Sequence, residues 1–256
     1  MAGDVTILIY AWDMYNVCWP VFCYGLSKYW PDCPYEVLFI TNYADPPCGK
    51  AVKIADENDF VRKLRTGLAA VQTPYILFMH EDYWIQKPVE TRNIQDYVKL
   101  MDADKADYIR LIPIPKPDRE YPNDSRLGII DKSAEYRVSF MASLWRKSVL
   151  DDLLVPGESL WQMEAAGSKR SARYGDRFLC VVRSRYGISY VMTAITDRQW
   201  TAGARQYVKE EGLTVDFSQL PPISFRQLLR YRVYNTAYHL KRMVQKSVLY
   251  RSLFRA

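Results

Sequence analysis

The chain has 256 residues, enough to bury a full core in one large or two small domains. Apolar residues make up 49% and aromatics 14%, which excludes a disordered chain. The net charge of +6 is uneven: residues 217–256 hold eight Arg and Lys and no acid, leaving 27 basic against 29 acidic residues in the body.

Residues 1–4 carry no basic segment, and Val5–Tyr10 is too short for a signal-peptide core. That stretch reads as the first strand, and the expected location is the cytoplasm. Asp13 follows it, placed either to hydrogen-bond a base or ribose or to cap the next helix. Pro20 suits a first helical turn, so an aromatic helix is predicted from near Trp19 to Tyr29. A strand over 37–41, a loop over 42–49 and a short strand near 51–54 come next. Residues 59–72 are helical by the spacing of Phe60, Leu64, Leu68 and Val71.

Residues 75–79 form an uncharged run that ends in His80, Glu81 and Asp82. Such a run suits a strand covered on both faces. Acids at its carboxyl end lie where open α/β sheets bind ligands, although solvated loop acids give the same pattern. Further on, the pattern predicts a helix over 90–101, a strand over 108–112 and a polar loop over 113–125 with four prolines. A strand over 136–143 should feed a helix over 144–154, followed by a loop carrying Glu158, Trp161 and Glu164. A strand near 178–183 and a hairpin-like return over 187–193 complete the body. Strands alternating with helices argue for a layered α/β sheet.

Four groups of residues could carry chemistry. A leaving diphosphate needs its charge neutralised, either by a carboxylate-held Mg²⁺ or Mn²⁺ or by basic and backbone donors. Glu81 and Asp82 do not distinguish the two. Glu158 and Glu164 flank Trp161, so a pocket carboxylate beside a sugar-stacking ring is one reading, and the acids of a helix N-terminal turn are the other. Arg110 lies in an apolar strand and needs a partner, either a core carboxylate or a substrate phosphate. Residues 167–171 offer a weak phosphate-cradle pattern. The five cysteines show no Cys-x-x-Cys spacing, so neither a zinc site nor a disulfide framework is expected. The basic tail fits two short helices that dock on an anionic membrane surface or pack on the body.

The stretch 68–84, running into His80-Glu81-Asp82-Tyr83, resembles the helix–strand–acid segment of GT-A glycosyltransferases. More closely, the chain resembles small bacterial glycosyltransferases of surface-polysaccharide biosynthesis, which share a Glu/Asp-Asp-Tyr motif (Glu81-Asp82-Tyr83). They also share a Leu-Trp-Arg-Lys segment (Leu144 to Lys147) and a Glu-x-x-Trp-x-x-Glu segment that ends in Gly-Ser (Glu158 to Ser168). The resemblance covers residues 4 to 200, and His80 stands where the common motif has an acid.

The resemblance implies a GT-A-like single domain over 1–216, a Rossmann-like mixed sheet flanked by helices, with a basic helical extension over 217–256. It implies donor and diphosphate contacts from Asp13, Glu81, Asp82 and Arg110, and Glu164 as the base. Acceptor contacts would come from Trp145, Glu158, Trp161 and Ser168. A possible Mg²⁺ or Mn²⁺ would sit on Asp82 with His80 or Glu81. The implied partners are a nucleotide-diphosphate sugar, a glycan or lipid-linked glycan and the inner membrane face, with no nucleic acid. A sugar-phosphate nucleotidyltransferase is the rival, but the loop after the first strand has neither Gly nor a basic residue. A non-catalytic membrane- or RNA-binding module is the other.

Overall fold

A computed structural model describes residues 4–55 and 57–224, together with Val233, Thr236 and Leu240. The described residues fall into two compact units that divide between Ala194 and Ile195. The first is a mixed α/β layer. Its strands are β1 (Val5–Tyr10), β2 (Glu36–Thr41), β3 (Lys50–Lys53), β4 (Tyr75–His80), β5 (Tyr108–Arg110), β6 (Arg119–Glu120), β7 (Leu127–Ile129), β8 (Ser143–Arg146) and β9 (Phe178–Val181). They form one nine-stranded sheet in the order β3-β2-β1-β4-β8-β5-β9-β7-β6.

The first four positions are parallel, and β8 runs antiparallel between β4 and β5. β1 is wholly buried, as expected of a strand with helices on both faces. Period-two alternation sorts its neighbour β2. Phe39 meets Trp19 and Phe22 of helix α1 (Trp19–Tyr29) at centroid distances of 5.9 and 5.7 Å. Leu38 and Ile40 join the opposite core with Leu64 and Leu68 of helix α2 (Phe60–Ala70). Helix α3 (Thr91–Asp102) is tied to α1 by the Trp30 indole, which donates to the Thr91 hydroxyl at 2.7 Å.

The strands and helices predicted up to Asp102 all form, with ends shifted by at most two residues. Asp59 caps α2, its carboxylate accepting from the Arg62 amide at 2.8 Å. Differences begin after β5. Within the loop expected over 113–125, β6 forms a short edge strand. Residues 136–142 do not extend as a strand; pairing starts only at Ser143, and helix α4 is confined to Lys147–Leu153. The reason lies in their donors: the Val138 amide goes to the Ser168 hydroxyl and the Phe140 amide to the Glu164 carboxylate. Backbone donors spent on side chains are not available to a ladder.

The loop expected around Glu158 to Glu164 is mostly helix α5 (Leu160–Arg170), started by a capping box between Ser159 and Gln162. Residues 167–170 are therefore helical and do not form a phosphate cradle. Residues 187–194 pair with the chain after β4 rather than folding into a hairpin. The antiparallel hairpin is in the second unit, β10 (Ile195–Thr196) with β11 (Gln199–Trp200). There helix α6 (Ala202–Glu210) follows a Thr201 cap, and Trp200 meets Phe217 edge-on at 5.0 Å.

Cys23 and Cys48 form a disulfide, which corrects the expectation from cysteine spacing. They are 25 residues apart, and only the packing of α1 beside the loop after β2 brings their Cα atoms within 5.9 Å. The tail helices expected over 226–255 lie outside the described residues, apart from the three single positions named above. No helix among the described residues is long and apolar enough to cross a membrane.

Candidate active site

β1 leads outward to β2 and β3, whereas β4 returns on its other side, so the strand order reverses between β1 and β4. Crevices at the carboxyl ends of such a pair are where open sheets take ligands. Tyr10 pairs with His80 there, which brings the segments 11–13 and 80–82 together. The Trp12 amide donates to Glu81 Oε1 at 3.1 Å. The Asp13 carboxylate accepts from the amides of Asn42, Tyr43 and Ala44, each at 2.8 Å. Asp13 thus clamps the loop after β2 to the end of β1, and it starts a 3-10 turn (Asp13–Cys18) rather than capping α1 through its side chain.

Beneath this rim lies Lys63, which pattern reading missed. It is fully buried, donates to the Ala11 carbonyl at 2.6 Å and sits 3.6 Å from the Trp12 ring centroid. Burial lowers its pKa to about 8, against the opposing pull of Glu81 and Asp13. The signal was present: Lys63 shares the apolar face of α2 with Phe60, Leu64 and Gly67, and a lysine on such a face is buried.

Glu81 is buried, and desolvation with the neighbouring Asp82 charge pushes its carboxyl well above the usual range, against the Trp12 amide and Lys63. His80 is ringed by Tyr10, Phe78 and Tyr83 at 5.6, 5.1 and 5.1 Å. Its desolvation lowers its pKa to about 4, opposed by a backbone bond at Tyr10 and aided by Lys63. Asp82 is half-buried, and its Oδ2 accepts the Thr193 hydroxyl.

Tyr83 stacks on Tyr190 at 4.5 Å. Its hydroxyl is held protonated by burial and then by Tyr190 and the charges of Asp82, Glu164 and Glu81. Glu164 is 6% exposed; its Oε1 accepts from the Phe140 amide at 2.8 Å. Burial raises its pKa, while the Phe140 amide, a Ser139 hydrogen bond and the Arg110 charge oppose the rise.

The remaining residues are placed otherwise. Arg110 donates to the carbonyls of Tyr136 and Pro115 at 2.8 and 2.6 Å, so its guanidinium braces the segment that carries the Glu164 partner. Trp145 has no exposed surface and packs 4.3 Å from Tyr108. Ser168 fastens Val138. Glu158 forms a two-point ion pair with Arg170 at 2.8 and 2.6 Å. Trp161, in contrast, is 74% exposed.

A divalent cation needs several converging oxygens. Among the described residues no group of three His, Cys, Asp and Glu side chains stands close enough to hold one. One Glu81 oxygen serves Trp12, one Asp82 oxygen serves Thr193, and three rings surround His80. These side chains do not fit a cation site by themselves, and no step below passes through a metal. A separate cleft of about 730 Å³ lies at the amino end of β4, lined by Arg65, Arg146, Lys147 and Asp151 among others. Its arginines are taken up by Asp151, Asp104 and Asp107, which makes it a seam between α2 and α4.

No protein-family model matches the chain, and no curated protein matches its sequence. Solved structures that overlay on it include S. aureus TarS 1–349 in complex with UDP-GlcNAc. That match has 12% identity and a TM-score of 0.49, covering 70% of this chain and 56% of that one. The mannosyltransferase PcManGT from Pyrobaculum calidifontis, in complex with GDP-Man and Mn²⁺, overlays at 11% identity and a TM-score of 0.46, covering 77% and 58%. A CMP:2-keto-3-deoxy-manno-octonic acid synthetase complexed with CTP overlays at 13% identity and a TM-score of 0.39, covering 70% and 88%. The chain thus spans under two thirds of TarS 1–349 and of PcManGT, and none of these three scores reaches 0.5.

Proposed function

We propose that this chain is a GT-A-type glycosyltransferase that moves a sugar from a nucleotide-diphosphate donor to a hydroxyl of a glycan or lipid-linked glycan. The observation that carries the reading is the convergence at the β1/β4 switch point: Asp13 clamps two loops there, and Glu81 and Asp82 end β4 beside it. The donor nucleotide lies over the loops after β1 and β2, with Asp82 accepting from donor hydroxyls. Glu164, whose pKa burial raises, is suited to take a proton near neutral pH. The acceptor oxygen bonds to the anomeric carbon, the bond from that carbon to the diphosphate breaks with its electron pair on the diphosphate, and the acceptor proton passes to Glu164. This displacement inverts the anomeric centre. Exposed Trp161 is the acceptor-stacking ring.

The basic extension over 217–256 brings the protein to an anionic membrane face, on the cytoplasmic side, in cell-surface polysaccharide assembly. The Cys23–Cys48 bridge is unusual for a reducing compartment, so location is tested with it. A carboxylate beside a diphosphate repels it unless a cation intervenes. The test is therefore thermal stabilisation by a panel of nucleoside diphosphates and nucleotide sugars, each with Mn²⁺ and with EDTA. A selective rise that Asp82→Ala abolishes supports the reading; no rise with any nucleotide refutes it. Product with retained anomeric configuration would remove Glu164 as the base.

A further inference from the structure

Residues 187–194 form a strap along the chain that follows β4. It begins at Gly187, where a Cβ would stand 1.9 Å from the Leu111 carbonyl oxygen, so only glycine allows this approach. The Ile188 amide then donates to Leu111 at 2.9 Å. The strap continues antiparallel to residues 82–86. The Gln86 amide donates to Ser189, the Val191 amide to Trp84 and the Ala194 amide to Asp82, at 2.9, 2.9 and 3.0 Å. Tyr190 stacks on Tyr83 at 4.5 Å, and its hydroxyl accepts from the Ala142 amide at 3.4 Å.

The end of the strap is strained. Thr193 has φ of 137°, a region that a β-branched residue rarely enters. Its amide closes a three-residue turn onto the Val191 carbonyl at 2.8 Å, and its hydroxyl donates to Asp82 Oδ2. Such strain persists only where the surroundings over-determine it, and it gathers at functional sites. Here the over-determination is visible: two ladder bonds and a ring stack fix the strap along residues 83–86, and the Ala194 amide fixes it to Asp82 on the far side of Thr193. Asp82 is thereby held through both its carbonyl and its carboxylate by adjacent positions of one segment.

We propose that Thr193 is a positioning residue for the donor site, its hydroxyl fixing the rotamer of Asp82 so that the carboxylate meets the incoming nucleotide sugar already oriented. The inference rests on the proposed transferase reading. A carboxylate left to rotate would have to be ordered by the ligand itself, at a cost in affinity.

The test is a double-mutant cycle read by calorimetric binding of the nucleotide sugar that the panel selects, with Thr193→Val, Thr193→Ser, Asp82→Asn and Thr193→Val/Asp82→Asn. Thr193→Val keeps shape and loses the donor. It is expected to weaken binding about 10- to 150-fold, the loss of one charge-assisted hydrogen bond. Thr193→Ser keeps the donor and is expected to bind within about twofold of the parent, since the bond is intact. In the Asp82→Asn background Thr193→Val should add little, because coupled residues are not additive. If Thr193→Val does not fold, Thr193→Gly, which accepts positive φ without strain, replaces it. Binding unchanged in the donor-less variant, or a loss that adds fully to that of Asp82→Asn, overturns the positioning role while leaving the transferase reading standing. A parent protein that binds no nucleotide overturns both.

Discussion

Glu164 offers a direct separation of chemistry from architecture, because its carboxylate is both the proposed base and the acceptor for the Phe140 amide. Glu164→Gln keeps a carbonyl oxygen for that amide but removes the basic group. Glu164→Ala removes both. Leaving a buried amide without a partner costs about 1–3 kcal/mol. For a chain of this size each kcal/mol moves the melting temperature by about 2–4 °C, so Glu164→Ala should melt roughly 2–12 °C lower. Glu164→Gln should melt close to the parent below the ordinary glutamate value of 4.5. Above that value the comparison turns in favour of the variant. A carboxyl whose folded pKa is raised contributes stability below its unfolded value and loses it as pH rises through the folded value. Glu164→Gln has no such loss and should gain on the parent toward alkaline pH. Turnover is the other half of the experiment: loss of a positioned general base lowers kcat by about 10²–10⁴. The assay is nucleoside diphosphate release from donor and acceptor, beside melting curves from pH 4 to 9. Full turnover by Glu164→Gln would refute the base assignment and leave Glu164 as a tie between α5 and the 136–142 segment.

Asp13→Ala should weaken nucleotide binding and lower the melting temperature together, since three loop amides lose a charged acceptor worth about 1.5–3 kcal/mol each before water replaces it; equal binding by variant and parent would show that the clamped loops do not hold the donor. Trp161→Ala should leave stability within about 0.5 kcal/mol of the parent, as for other exposed sites, but raise KM for the acceptor. Trp145→Ala, in the core, should cost about 3–5 kcal/mol. Thiol counting under denaturing, non-reducing conditions should find three reactive cysteines out of five, and five after reduction; five before reduction in protein taken directly from its native compartment would show that the compartment keeps Cys23 and Cys48 reduced.

Local patterns were sufficient for the strands and helices of the first hundred residues. Val5–Tyr10 and Tyr75–His80 are uncharged runs that only a two-sided sheet buries, and Phe60, Leu64 and Leu68 repeat at the helical period. Periodicity is a property of neighbours along the chain, so it can be read without the fold. The same holds for the acids at the end of β4, whose place follows from the strand that precedes them. What required the tertiary structure were the competitions between distant partners. Residues 136–142 alternate like a strand, yet Ser168 and Glu164 take their amides from 30 and 24 residues away. Cys23 meets Cys48, and Thr193 meets Asp82, because packing joins segments that no local spacing relates. Arg110 and Trp145 resemble site residues in a string of letters, but the first braces two carbonyls and the second fills the core. A residue type declares what chemistry it can do. Which partner satisfies it depends on a three-dimensional contact, and a buried polar group takes whichever partner the fold brings within reach.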